Sequence, residues 1–235
     1  MEKLTCKNFS TKENSLLFLH GYLADKRTFY HQIKHFEKFL EVFALDLKGF
    51  GENTGMEYPY SLDDYIDEVN EYKYKNNIVN PNLIAHSFGG RIALKGLYKS
   101  PNFCNKLILT GCAGLKPKPS LIKGLKKVTF NILRKFVDKK KLTAFYSKDY
   151  LALNDTMKRS FVKIVNEHLD YTLPFIQNKT LVIFGDKDRE TPVYMAKKLV
   201  KNIKNSSLVI IKNAGHFCFI DNPLAFNIAV ENFLL

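Results

Sequence analysis

The sequence predicts an α/β protein: a doubly wound, mostly parallel sheet carrying an inserted helical cap. Three observations predict it. Six short apolar runs recur along the chain, segments of helical periodicity separate them, and one long stretch, residues 116–174, has helical pattern without any strand run. Unbroken apolar runs imply burial on both faces, as in a parallel sheet covered by helices. Alternation of strand and helix gives the doubly wound architecture.

Leu16–Leu19 is the first strand, Glu41–Asp46 the second and Leu83–Ala85 the third. Leu107–Leu109, Leu181–Phe184 and Leu208–Ile211 follow. Between them, Thr28–Leu40 carries Phe29, Ile33, Phe36 and Phe39 at helical spacing. Ser61 opens a helix with Asp63 and Asp64 in its first turn, where the helix dipole favours negative charge. Pro192–Val200 and Pro223–Phe233 each begin with proline, which first turns tolerate. The core is thus expected from residues 1–115 and 175–235, with 116–174 as the cap.

The 235 residues are 46% hydrophobic and 25% charged, as in ordinary globular proteins. The net charge is +13, which raises the question of an anionic partner. No zinc-finger spacing, RNP-type string or basic recognition helix accompanies it, so nucleic acid is not expected. Cys6, Cys104, Cys112 and Cys218 lack metal or redox spacing and read as reduced thiols of a cytoplasmic protein. The first residues hold no apolar run of signal-peptide type, and no stretch approaches the roughly 18 apolar residues of a membrane span.

The most informative stretch is Ala85-His86-Ser87-Phe88-Gly89-Gly90. A buried-strand pattern runs straight into a helical one, so the chain must fold back sharply with Ser87 at the apex. Small residues at 85 and 89 let the backbone pass close to itself, and the hydroxyl is lifted clear of it. Two readings remain open from this stretch alone: a nucleophile, or a serine capping the helix that begins near Gly89.

Sites in open α/β sheets lie beyond the carboxyl ends of the strands. His20-Gly21-Tyr22 follows the first strand, and Gly49-Phe50-Gly51 the second. His86-Ser87 follows the third, Gly185-Asp186-Lys187-Asp188 the fifth and Gly215-His216 the sixth. A serine nucleophile needs a base, and the base needs an acid to hold its tautomer. Ser87, Asp188 and His216 stand at strand ends in the order such roles take on this architecture.

Together these motifs resemble the α/β-hydrolase superfamily, in particular its small cofactor-free esterase and carbon–carbon hydrolase branch. The resemblance spans the chain and is weakest over 116–174, where that superfamily carries a variable helical cap. It implies Ser87 as nucleophile, His216 as base and Asp188 as acid. Asp186 competes for the acid role, but the family places the acid three residues after the glycine and four before Pro192, which selects Asp188. The oxyanion requires preorganised donors. The backbone N–H of Phe88 is the first, and the resemblance points to that of Tyr22 as the second.

Other features have blander readings. His20 and His86 are expected to orient loops, while His31, His35 and His168 lie on helical patterns. Gly49-x-Gly51 is a tight turn without dinucleotide context. Arg91 is read as structural ahead of a contact to an acidic substrate. No cluster has metal-ligand spacing, and no metal or cofactor is implied. Residues 116–174 hold twelve lysines and two arginines against four aspartates and one glutamate. A solvated lysine face on a packed cap explains this; a weak contact with anionic membrane is the sharper alternative.

The expected function is a serine hydrolase acting on a small carboxylic ester or related acyl compound through an acyl-enzyme. The alternatives are a carbon–carbon bond hydrolase or lyase on an acidic substrate, and a non-catalytic ligand-binding member of the same fold.

Overall fold

The computed structural model describes residues 15–119 and 153–234. Within them, strands β1 (Leu16–Leu19), β2 (Val42–Ala44), β3 (Asn82–His86), β4 (Leu107–Thr110), β5 (Thr180–Gly185) and β6 (Ser206–Ile211) form one sheet. Its order is β2-β1-β3-β4-β5-β6 and every pairing is parallel. All six expected strands are therefore present, and the predicted fold class holds.

The apolar runs are explained by the period-two pleat. Leu17, Leu19, Leu83, Ala85, Leu107, Leu109, Val182 and Phe184 face one core layer. Leu16, Phe18, Ile84, Ile108, Leu181 and Ile183 face the other. Helices α2 (Leu62–Lys75), α3 (Phe88–Lys99) and α5 (Val193–Asn202) cover the first face. Helices α1 (Tyr30–Phe36) and α6 (Pro223–Leu234) cover the second. Both faces are covered, so apolar residues stand at successive positions where a half-exposed strand would alternate.

Local signals act where they were expected. Ser61 caps α2 in a reciprocal capping box: its hydroxyl accepts from the Asp64 N–H, and the Asp64 carboxylate accepts from the Ser61 N–H at 2.7 Å. The expected helix over 28–40 is shorter; a 3₁₀ turn at Lys26–Phe29 leads into α1, which stops at Phe36. The expected strand over 41–46 narrows to Val42–Ala44. β2 is an edge strand, paired on one side only, and its three residues are only partly buried.

Of the expected cap, residues 120–152 lie outside the described residues, and with them the apolar stripe and most of the lysines that raised the membrane alternative. The remainder holds α4 (Asp155–Asn166) and a 3₁₀ turn at Asp170–Phe175. Arg91 on α3 donates to the carbonyls of Ile164 and Glu167 at 2.8 and 3.0 Å. It thus sits at the C-terminal end of α4, where the helix dipole welcomes a cation. Ser160 donates to the Tyr60 carbonyl at 2.7 Å, and the Tyr22 hydroxyl to that of Met157 at 3.3 Å. Cys104, Cys112 and Cys218 are free and buried. Among the described residues no helix is long and apolar enough to cross a membrane.

Candidate active site

The order of the sheet reverses direction between β1 and β3, because the chain adds β2 on one side of β1 and β3–β6 on the other. A crevice opens at the carboxyl ends of strands flanking such a point. Gly21 and Tyr22 leave β1 there, and Ser87 leaves β3.

Ser87 has φ 47° and ψ −103°, a left-handed conformation that a residue with a Cβ rarely adopts. The surroundings hold it there. Its N–H donates to the Thr110 carbonyl at 3.0 Å, and its carbonyl accepts from Gly90 and Ala113, each at 3.1 Å. The Gly89 N–H donates to the His20 carbonyl at 3.1 Å, so the elbow is pressed onto the end of β1. A Cβ at position 89 would stand 2.4 Å from the Leu19 carbonyl oxygen, which only glycine avoids. The Ser87 side chain makes no capping bond to α3, so the capping alternative is not what this serine does.

Asp188 and His216 are joined. His216 Nδ1 lies 2.9 Å from Asp188 Oδ2, and both residues are buried. Asp188 has its acceptor sites occupied from all sides. Oδ1 takes the N–H groups of Glu190 and Thr191 at 2.9 and 2.8 Å, and Oδ2 takes the Thr191 hydroxyl at 2.8 Å. Burial pushes its carboxyl upward, but the hydrogen bond and charge of His216, followed by the Thr191 bonds, outweigh it and hold it below the usual range. The Asp186 carboxylate lies 3.9 Å from the Lys212 ammonium. Gly111, at φ +51°, gives His216 its room, since a Cβ there would come within 3.0 Å of Nδ1.

Among the described residues Ser87 and His216 make no direct hydrogen bond; His216 Nε2 lies instead 3.4 Å from Glu190 Oε2. His86 links the two segments. Its ring is 4.7 Å from that of His216, and its Nε2 lies 3.2 Å from the His216 carbonyl. Burial, with the charge of His216 second, drives the His86 pKa down to about 3, so it stays neutral. His20 pins the loop after β1: Nδ1 donates to the Gly21 carbonyl at 2.7 Å and Nε2 accepts from the Leu47 N–H at 3.0 Å. Both histidines therefore orient loops, as expected. His35 pairs with Glu231 at 2.6 Å, and His31 and His168 are exposed; His168 lies past the end of α4 rather than on a helix.

The backbone N–H groups of Phe88 and Tyr22 have no backbone acceptor among the described residues. Their side chains meet edge to face at 5.5 Å between ring centres. Phe50, from the Gly49–Gly51 turn, packs on Tyr22 at 4.8 Å. Sequence reasoning missed Thr191, Glu190 and Gly111. Thr191 and Glu190 are polar residues in a loop, without periodicity or motif to single them out. No three His, Cys, Asp or Glu side chains gather as a metal site among the described residues.

A separate cleft of about 850 Å³ lies between β2 and α2, lined by Asp46, Lys48, Asp64, Glu68 and Tyr72 among others, and by none of the expected site residues. Burial raises the Glu68 carboxyl from 4.5 to about 7, against hydrogen bonds from the Lys48 N–H and the Asn53 amide. The folded chain therefore holds this proton more tightly than the unfolded one. Its contribution to stability is fully present below about 4.5 and is lost as pH rises through 7. Urea unfolding of Glu68→Gln between pH 5 and 8 should show that fall reduced by on the order of 1–2 kcal/mol.

The description "alpha/beta hydrolase fold" matches residues 14–136, and "TAP-like protein" matches 162–235. The chain is 28% identical to the human serine hydrolase BPHL, over 94% of this chain and 79% of that protein. Its fold is similar to that of an esterase (EaEST) from Exiguobacterium antarcticum, with TM-score 0.74 and 23% identity, covering 94% of this chain and 91% of the other. It is also similar to a meta-cleavage product hydrolase (CumD) variant from Pseudomonas fluorescens IP01, with TM-score 0.71, 19% identity and coverage of 94% and 90%. At these identities the two structures bear on fold alone.

Proposed function

Because the chain belongs to the α/β-hydrolase fold family, we propose that it is a serine hydrolase cleaving a small carboxylic ester or related acyl compound. The observations that support this reading are the strained backbone of Ser87 at the end of β3 and the buried Asp188–His216 pair at the ends of β5 and β6.

In this mechanism Ser87 Oγ attacks the substrate carbonyl carbon while its proton passes to His216 Nε2. The new oxyanion accepts hydrogen bonds from the Phe88 and Tyr22 N–H groups. Collapse breaks the ester C–O bond, and the leaving alcohol takes the proton from Nε2. Water then attacks the acyl-enzyme, His216 again receiving the proton, and the acid is released with Ser87 restored. Asp188 keeps the Nδ1 proton and stabilises the positive ring without itself being protonated. Residues 116–174 form the cap in this reading; the contacts of α4 with Tyr22 and Tyr60 support its position beside the oxyanion loop.

The test is labelling with a fluorophosphonate followed by a panel of ester, thioester, amide and ketonic substrates. Stoichiometric labelling mapped to Ser87 and turnover of a short-chain ester are expected. Turnover confined to ketonic substrates favours carbon–carbon hydrolysis, and absence of both labelling and turnover favours a ligand-binding role.

A further inference from the structure

Glu190 is a charged group of this site that the mechanism above leaves unused. Its Oε2 lies 3.4 Å from His216 Nε2, the nitrogen that must face the reacting atoms. Asp188 Oδ2 holds the other nitrogen at 2.9 Å. The position of Glu190 is built into the loop, because its own N–H donates to Asp188 Oδ1 at 2.9 Å and the next N–H to the same oxygen at 2.8 Å. Two carboxylates, two residues apart, thereby clasp one imidazole from both sides.

A neutral ring with its proton on Nδ1 turns the Nε2 lone pair toward the Glu190 carboxylate, so two acceptors face each other. A protonated ring satisfies both carboxylates at once. We propose that Glu190 is a positioning residue for the base: its carboxylate stands against Nε2 and favours a ring charged on that side, and it must move aside before Nε2 can receive the Ser87 proton. This rests on the reading of His216 as the base. The rest of the ring's surroundings do not supply this effect. His86 is neutral, the Thr191 hydroxyl lies 3.2 Å from Nδ1, and Phe217 is apolar. Asp221 is engaged with the Gly215 N–H at 2.7 Å. The Glu190 side chain is 68% exposed, so its influence is screened by salt.

The test compares wild type with Glu190→Gln by NMR titration of the His216 ring nitrogens and by the pH dependence of kcat/KM on an uncharged p-nitrophenyl ester. In the variant the His216 titration midpoint and the acid limb of kcat/KM should both move to lower pH at low ionic strength. The difference should shrink in about 0.5 M salt. An unmoved titration midpoint at low salt overturns the proposal, whatever happens to the rate. A midpoint that moves while the acid limb of a substrate that is turned over stays put upholds the contact and overturns the reading of His216 as base.

Discussion

Replacing Ser87 with alanine should lower turnover of a p-nitrophenyl ester by roughly four to six orders of magnitude while circular dichroism stays that of the wild type. Everything around the hydroxyl is held by backbone bonds to Thr110, Gly90 and Ala113, and none of these involves the Ser87 side chain. Loss of Oγ therefore removes the nucleophile and leaves the turn. The conformation adds a second arm. At φ 47° a Cβ is strained whichever side chain it carries, and glycine has no Cβ. Ser87→Gly should be as inactive as Ser87→Ala, yet more stable than it by about 1 kcal/mol in urea unfolding. An alanine variant with wild-type turnover would end the nucleophile assignment. A glycine variant no more stable than alanine would show that the strain is not felt.

Asp188→Asn should lower kcat by about three to four orders of magnitude. Four donors converge on the Asp188 carboxylate: the N–H groups of Glu190 and Thr191, the Thr191 hydroxyl and His216 Nδ1. A carboxylate accepts all four, whereas an amide must present an NH₂ to one pair of them. If that NH₂ faces His216, the ring adopts the opposite tautomer and Nε2 can no longer accept the serine proton. Asp186→Asn is the control; its carboxylate faces Lys212, and its kcat should stay within a few-fold of wild type. Stopped-assay kinetics on the two variants, with folding checked by circular dichroism, separates the roles. Equal losses in both would remove Asp188 from the acid position.

Much of this was legible because the physics acts locally. Burial on both faces fills Leu16–Leu19 and Leu107–Leu109 with apolar residues alone, so such strands announce themselves. The elbow is likewise local: a strand, a serine and a glycine pressed on the Leu19 carbonyl. What stayed hidden depends on distance. Thr191 and Glu190 matter only because β5 and β6 are neighbours, which brings the loop after Gly185 against His216. The role of Arg91 depends on where α4 ends, a placement no periodicity encodes. The second strand is shorter than the expected 41–46 because Leu45 and Asp46 are buried without being in the sheet; an apolar run signals burial, not hydrogen-bond pairing.

The all-parallel sheet has a consequence for the order in which the molecule comes into being. Its hydrogen-bonded neighbours are joined by long crossovers, so the pairing of β4 with β5 closes a loop from Thr110 to Thr180, and β6 is docked on β5 after that. Long loops delay contact formation. During synthesis the loop after β1 and Ser87 emerge early, and His216 only when the last strand has been made. A nascent chain carries Ser87 long before it carries His216. In the proposed reading the protein is thus chemically silent until its sheet is complete, and the onset of hydrolysis marks the end of folding.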